Sequence, residues 1–325
     1  MREVIAGCLL IVASMAVAEE GVKHRFFKCG WGSGGPGIYN EVFEQEWFLE
    51  DKRETSDGWL LNDEKLAYSF SQRGQGGYRS GMILLGPDRK KLWEYVVPDG
   101  NDNHSCFPLP HGGFLLGECG KKGLWMTELD KDGELIKRVQ LCEGPIRDIH
   151  HAFRQVRKTS RGTYVATLMG GGATEQLRAG TYEWDADGNV LRKLPGGFYV
   201  AVPLPNGNII VSVGNGRKGQ RGLVEEYDKD GRKVWEWTIE DVEKAGIRMS
   251  MACGVQRLAN GNTVITNVRH GKANGSADGP FPWAVEVTPD KKVVWMIPEE
   301  KAKGNMGNLQ ILDAKGDPRK FELMR

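Results

Sequence analysis

Six histidines are the side chains of this 325-residue sequence best suited to chemistry near neutral pH, because an imidazole titrates there and can also ligate a metal. Three of them, His104 and the adjacent pair His150 and His151, stand just ahead of short apolar runs. Neighbouring residues of a strand face opposite sides, so only one of His150 and His151 can reach a shared site; His151 matches the placement of His104 better. His104 and His151 are therefore the catalytic candidates, as nucleophile or as acid and base. Metal ligation is a second reading, drawing on His104, Asp148, His151 and His270, or on a carboxylate such as Glu118. A third has the imidazoles merely satisfying backbone groups at chain corners. Arg154 could fork onto a carboxylate or sulfate, or lie with Arg157, Lys158 and Arg161 on a solvated edge. Trp59, Tyr199, His150 and Asn305 complete the set of candidate ligand contacts.

These residues are far apart in sequence, so a repeating architecture must bring them together. An Asp-rich turn followed by an apolar, often Trp-bearing run recurs at Pro87 to Tyr95 and at Asp228 to Trp237, with weaker copies at Asp130 to Val139, Asp185 to Leu194 and Pro289 to Trp295. Asp-Gly between alternating apolar runs signals a hairpin, since the turn needs residues that tolerate positive φ. A second turn precedes each copy, as at Asn206-Gly207-Asn208, where Val200, Val202 and Leu204 alternate before it and Ile209, Val211 and Val213 after it. Two hairpins per repeat make four strands, which is the sequence form of a propeller blade. Five complete units start near Ser56, Asp102, Asp148, Gly196 and Met249. The sixth is assembled from Lys23 to Leu49 and the lone strand Asn308 to Leu312, which closes the ring and removes exposed edges. The expected fold is all-β: a six-bladed β-propeller of four-stranded antiparallel blades, with the closing blade shared by N- and C-terminal strands. First strands line the channel of such a ring, so Asp57, Trp59, Asn103, His104, Asp148, His150, His151, Tyr199, Met251, Cys253, Asn305 and Asn308 converge near the axis. Each repeat tryptophan, burying roughly 200 Å², is expected to seal a junction between blades rather than stack on a cofactor.

The Asp-Gly-x-x-x-Trp copies, best at Asp230-Gly231-Arg232-Lys233-Val234-Trp235, resemble the tryptophan-docking motif of the pyrroloquinoline-quinone-like β-propellers. The turn in Leu258-Ala259-Asn260-Gly261-Asn262-Thr263-Val264 resembles those of the bacterial arylsulfotransferase-like six-bladed propellers. That resemblance implies histidines at blade starts around the channel mouth, acting as nucleophile and acid/base. Ala152 stands where the family's His-His-Asp run would have its Asp. Quinone dehydrogenases of the wider group commonly have eight blades and a vicinal cysteine pair, and this chain has neither, so the quinone is not an expected cofactor.

Charge is balanced, with 44 basic and 43 acidic residues, which removes the global basic field that nucleic acid would require. Arg2, the apolar run Val4 to Val12 and Ala16-Val17-Ala18 read as a signal peptide over residues 1–18, cleaved after Ala18, with a propeller domain over 19–325 that is secreted or periplasmic. No later run is long enough to span a membrane. Cys29, Cys106, Cys119, Cys142 and Cys253 form no metal-type spacing and suggest buried thiols with at most one disulfide. The glycine tracts at Gly30 to Gly37 and Gly170 to Gly172 lack the Lys-Ser/Thr of a phosphate loop. Asp130-Lys131-Asp132-Gly133 lacks a calcium loop's distal Glu, Val139 standing there instead. The polar insertion Asn267 to Gly279 reads as a surface loop or a binding rim. The functional expectation is binding of a carbohydrate or other small polar ligand at the channel mouth. The alternative is an enzyme, a glycan-active lyase or hydrolase or an arylsulfotransferase-like protein, using channel histidines with or without a metal.

Overall fold

The computed structural model describes residues 21–325, except 33–34, 171–173, 175, 216–221, 272 and 302–303. The proposed leader, Gly171, Gly172 and Lys272 lie outside the described residues. Six four-stranded antiparallel blades form a ring. Blade one runs Gly58–Leu60, Leu66–Gly74, Gly77–Leu85 and Lys91–Val96; blade three begins with Phe153–Lys158, blade four with Ala201–Pro203 and blade five with Met251–Arg257. Blade six pairs the late strand Asn308–Ile311 with the early strand Phe26–Cys29, Leu309 facing Lys28 and Ile311 facing Phe26. This is the closure the two spare sequence pieces imply. It leaves no inner strand without a partner at the seam.

Local chemistry explains the turns. Asp130 Oδ1 accepts from the backbone N–H groups of Asp132 and Glu134, both at 2.9 Å. Asp185 and Asp228 do the same in blades three and four. A carboxylate closing its own turn needs no calcium. The outer-strand tryptophans then reach across to the next blade. Trp93 Nε1 donates to the Lys131 carbonyl at 3.0 Å, and Trp235 Nε1 to that of Pro289 at 3.1 Å. Trp295 packs edge-on against Phe26 at 6.1 Å, and Arg89 lies over the Trp47 ring at 5.6 Å. Gly133 is required by this contact, since its φ is +86° and a Cβ would meet the Trp93 ring at 2.9 Å.

Three features depart from a plain ring. A short helix, Ile239–Lys244, capped by Thr238 and Asp241, follows blade four. The insertion after Val268 is tied down rather than loose, with Arg248–Met249 paired to Asn274–Gly275. Finally, the last residues fold back over the ring until Arg325, only 1% exposed, lies over the Trp59 ring at 3.8 Å. All five described cysteines are buried. No helix among the described residues is long and apolar enough to cross a membrane.

Candidate functional site

The inner strand of blade two is broken, and the break positions the chemistry. Asp102–Asn103 and Phe107–Pro108 each pair with the strand Phe114–Gly120, but the residues between them do not. Asn103 holds the gap open by donating to the carbonyls of Gly81 and Ser105, at 2.9 and 3.0 Å. His104 sits in that gap and is 1% exposed. Asp102 lies beneath it, completely buried. Its Oδ1 is occupied by Ser71 Oγ at 2.5 Å and the Asn103 N–H at 3.0 Å.

The other carboxylate oxygen, Asp102 Oδ2, faces two imidazoles, His104 Nε2 at 3.0 Å and His150 Nδ1 at 2.7 Å. Since a carboxylate can only accept, both rings must present an N–H to it. Their opposite nitrogens face Glu54: His104 Nδ1 is 3.4 Å from Oε1, and His150 Nε2 is 3.3 Å from Oε2. Glu54 is fixed by its own backbone, which exchanges hydrogen bonds with Ser71 at the edge of blade one. Arg154, from the first strand of blade three, places Nη1 at 2.7 Å from Glu54 Oε1 and at 3.0 to 3.1 Å from the two ring nitrogens of His104. Ser56 Oγ lies 2.8 Å from Glu54 and 3.1 Å from His104 Nδ1. Tyr78, from the middle hairpin of blade one, stacks flat on His150 at 5.3 Å.

Burial and charge set the protonation. Burial opposes the charged form of His150, yet its hydrogen bonds to Asp102 and Glu54 outweigh that and raise it to about 9. Complete burial lowers His104 despite the attraction of Asp102. Although burial resists it, the neighbouring imidazoles and Arg154 hold Glu54 well below the usual carboxylate range, and the two imidazoles do the same for Asp102. The result is a neutral set, with two carboxylates against Arg154 and a protonated His150. A cation at the Glu54 side would take the place of the His150 proton.

Three candidate ligand atoms, one each from Glu54, His104 and His150, lie within 4.8 Å of one another. Metal bonds of about 2.0–2.1 Å in tetrahedral array put neighbouring ligand atoms roughly 3.3 Å apart. The Glu54 separations, 3.4 Å from Oε1 to His104 Nδ1 and 3.3 Å from Oε2 to His150 Nε2, are each close to that spacing, one through each carboxylate oxygen.

The structure brings together some of the sequence candidates and separates others. His150, not His151, joins His104. The alternation of a strand does not apply there, because both residues lie in a turn that ends before Phe153. His151 points outward and pairs with Asp148 at 2.8 Å, the two side chains being about half exposed. His270 is exposed and offers its carbonyl to Ser250. Glu118 is buried inside blade two, bound by Asn101 and Arg138. Trp59 is fully buried, edge-on to Phe107 at 5.6 Å and covered by the guanidinium groups of Arg157 and Arg325, so it has no face for a ligand. Tyr199 is also buried, its hydroxyl donating to the Ser56 carbonyl at 3.3 Å and its ring lying 5.8 Å from that of Trp31. Asn305 is half-buried, its N–H donating to the Trp31 carbonyl. Arg157, Lys158 and Arg161 pair with Asp57, Glu128 and Glu183. Glu54, Asp102 and Tyr78 were not among the sequence candidates. Glu54 could have been found by position, as it precedes Gly58 in blade one much as His104 precedes Phe107 and His150 precedes Phe153.

No family model matches this chain, and no curated protein matches it. Among solved structures, a protein of unknown function from Bacteroides caccae superposes with a TM-score of 0.71 at 22% identity, over 89% of this chain and 98% of that one. TolB from Acinetobacter baumannii superposes with a TM-score of 0.55 at 13% identity, over 88% of this chain and 66% of TolB. The WD40 domain of Neurospora crassa Pan2 gives a TM-score of 0.50 at 12% identity, over 86% of this chain and 78% of that domain. At these identities the likeness is one of fold alone. It extends the propeller assignment and leaves the arylsulfotransferase-like affiliation unsupported.

Proposed function

We propose that this chain is an exported propeller that binds a small polar ligand, an oligosaccharide by preference, at the mouth of its channel through a divalent transition metal held by Glu54, His104 and His150. One observation carries the reading: Asp102 accepts from the far nitrogen of both imidazoles and so turns both near nitrogens onto one carboxylate. A carboxylate behind a histidine fixes its ring orientation and raises its basicity as a ligand, and here one carboxylate does so for two. Two imidazoles and a carboxylate suit zinc and its neighbours in the first transition series. Such a set leaves coordination positions open, which hydroxyl or carboxyl oxygens of a ligand can fill. Tyr78 offers the flat, partly exposed ring that sugar faces pack against.

The open positions also favour a second reading, metal-assisted cleavage of the bound ligand. A metal held by Glu54, His104 and His150 would supply Lewis-acid polarisation of a ligand oxygen, and Arg154, beside Glu54, would help to balance developing negative charge. The test common to both readings is calorimetric titration of the metal-free protein with zinc. The expected result is one bound ion per chain, lost or weakened at least about a hundredfold in Glu54→Gln and in His150→Ala, since each removes one of three ligands. Unchanged zinc binding in both variants would overturn the proposal.

A further inference from the structure

A cleft of about 500 Å³ opens beside His150. Its walls are the tip of the middle hairpin of blade one, Arg73 to Tyr78, and the segment Ile146 to Ile149 that leads into His150, with Lys121 of blade two between them. Tyr78 is the shared wall, one side lining the cleft and its ring lying on the imidazole of His150. Anything seated in the cleft is therefore adjacent to the proposed metal ligand.

Three cations line this cleft. Most described arginines are ion-paired, Arg53 to Asp51, Arg79 to Glu94, Arg138 to Glu118 and Arg257 to Glu226 among them. The side chains of Arg73, Lys121 and Arg147 have no hydrogen-bond or ion-pair partner among the described residues, and all three residues are exposed at the cleft. The one carboxylate in the lining, Asp148, is engaged by His151 at 2.8 Å. Three cations around one concavity focus a positive potential into it, and two are guanidinium groups that can grip planar or tetrahedral oxyanions in fork geometry.

We propose that this cleft takes the negatively charged group of the ligand, so that the ligand class is an acidic oligosaccharide bearing carboxylate or sulfate. The inference rests on the metal-centred reading of the channel mouth: one sugar residue would sit at the centre, and the charged group of the same chain would reach across Tyr78 to Arg73, Lys121 and Arg147.

The experiment uses the zinc-loaded protein and matched panels of uronic-acid, sulfated and neutral oligosaccharides, with binding measured by calorimetry at low and high salt. Binding confined to the acidic panels, weakening as salt rises, is expected. Relative affinity in the uronic-acid and sulfated arms shows which oxyanion the cleft prefers. The double variant Arg73→Ser/Arg147→Ser removes only exposed side chains; it should bind the best acidic ligand at least about tenfold more weakly while keeping wild-type zinc affinity. Three results would each overturn the inference: preference for neutral sugars, no binder in either acidic panel, or undiminished acidic binding by the double variant. Absence of zinc binding in the parallel titration would instead overturn the metal-centred reading, so the two failures are distinguishable.

Discussion

Asp102 is the residue on which the site's geometry turns, although it touches neither opening nor solvent. Its Oδ2 is the common acceptor of both histidines. Asp102→Asn keeps the shape and can still accept from Ser71 and the Asn103 N–H, but an amide nitrogen in place of Oδ2 cannot accept from an imidazole. One ring must then turn or change tautomer. Zinc affinity is expected to fall about 10- to 100-fold with little loss of thermal stability, which competition against a chelator would measure. Equal affinity in the variant would mean that the ring orientations are set elsewhere. The sequence pointed to His104 through its place ahead of an apolar run, because position within a repeat is a one-dimensional property. It did not point to Asp102 or Glu54, whose roles depend on contacts with other blades, and it favoured His151 because a turn at His150 leaves no periodic signal.

Among elements, the closing blade is the one assembled from two distant pieces, and His24 helps to fasten it. Its ring nitrogens reach Glu286 of blade five at 2.6 Å and Asp313, just after the last inner strand, at 2.8 Å. Burial opposes charging of His24, but these two carboxylates outweigh it and raise its pKa above the ordinary value. Glu286 is lowered in turn: burial resists the charged form, and hydrogen bonds from His24 and Asn262 overcome it. The histidine's contribution is therefore complete below the unfolded-state pKa near 6.5 and is lost as pH rises through the folded one; that of Glu286 is lost at acid pH. Between these limits His24→Ala should cost about 1–3 kcal/mol by denaturant unfolding, as expected for a charge-assisted buried bond. The deficit should shrink toward high pH, and a deficit that instead grew with pH would show that the imidazole is neutral in the fold. This blade was legible because hairpins and edge strands follow from turn chemistry and alternation. The Thr238-capped helix and the pinned insertion were not, since each is short and held by tertiary contacts.

At the scale of the whole molecule, a buried ionic network ties blades one, three and six. Asp57 accepts from Arg157 Nη1 at 3.0 Å and from Asn308 Nδ2 at 2.6 Å, and Arg157 also binds Gln155 and the Arg325 carbonyl. Arg157 and Asp57 are both completely buried. Removing one partner of such a pair strands the other charge, so Asp57→Ala should lower stability by about 3–5 kcal/mol. A change below about 1 kcal/mol in unfolding free energy would show that Arg157 finds other partners or water. Ring architecture was readable from the repeat. Burial of Arg325 over Trp59 was not, because that segment lies outside the repeat pattern.

The central claim is that Glu54, His104 and His150 hold a metal at the channel mouth, and anomalous X-ray diffraction from crystals of the protein grown with zinc tests it most directly. The expected result is a single strong peak at the zinc edge, about 2.0–2.2 Å from Glu54, His104 Nδ1 and His150 Nε2, with Asp102 behind both rings. Contradiction would come from a map with no peak there, or with zinc only on the exposed pair His151 and Asp148.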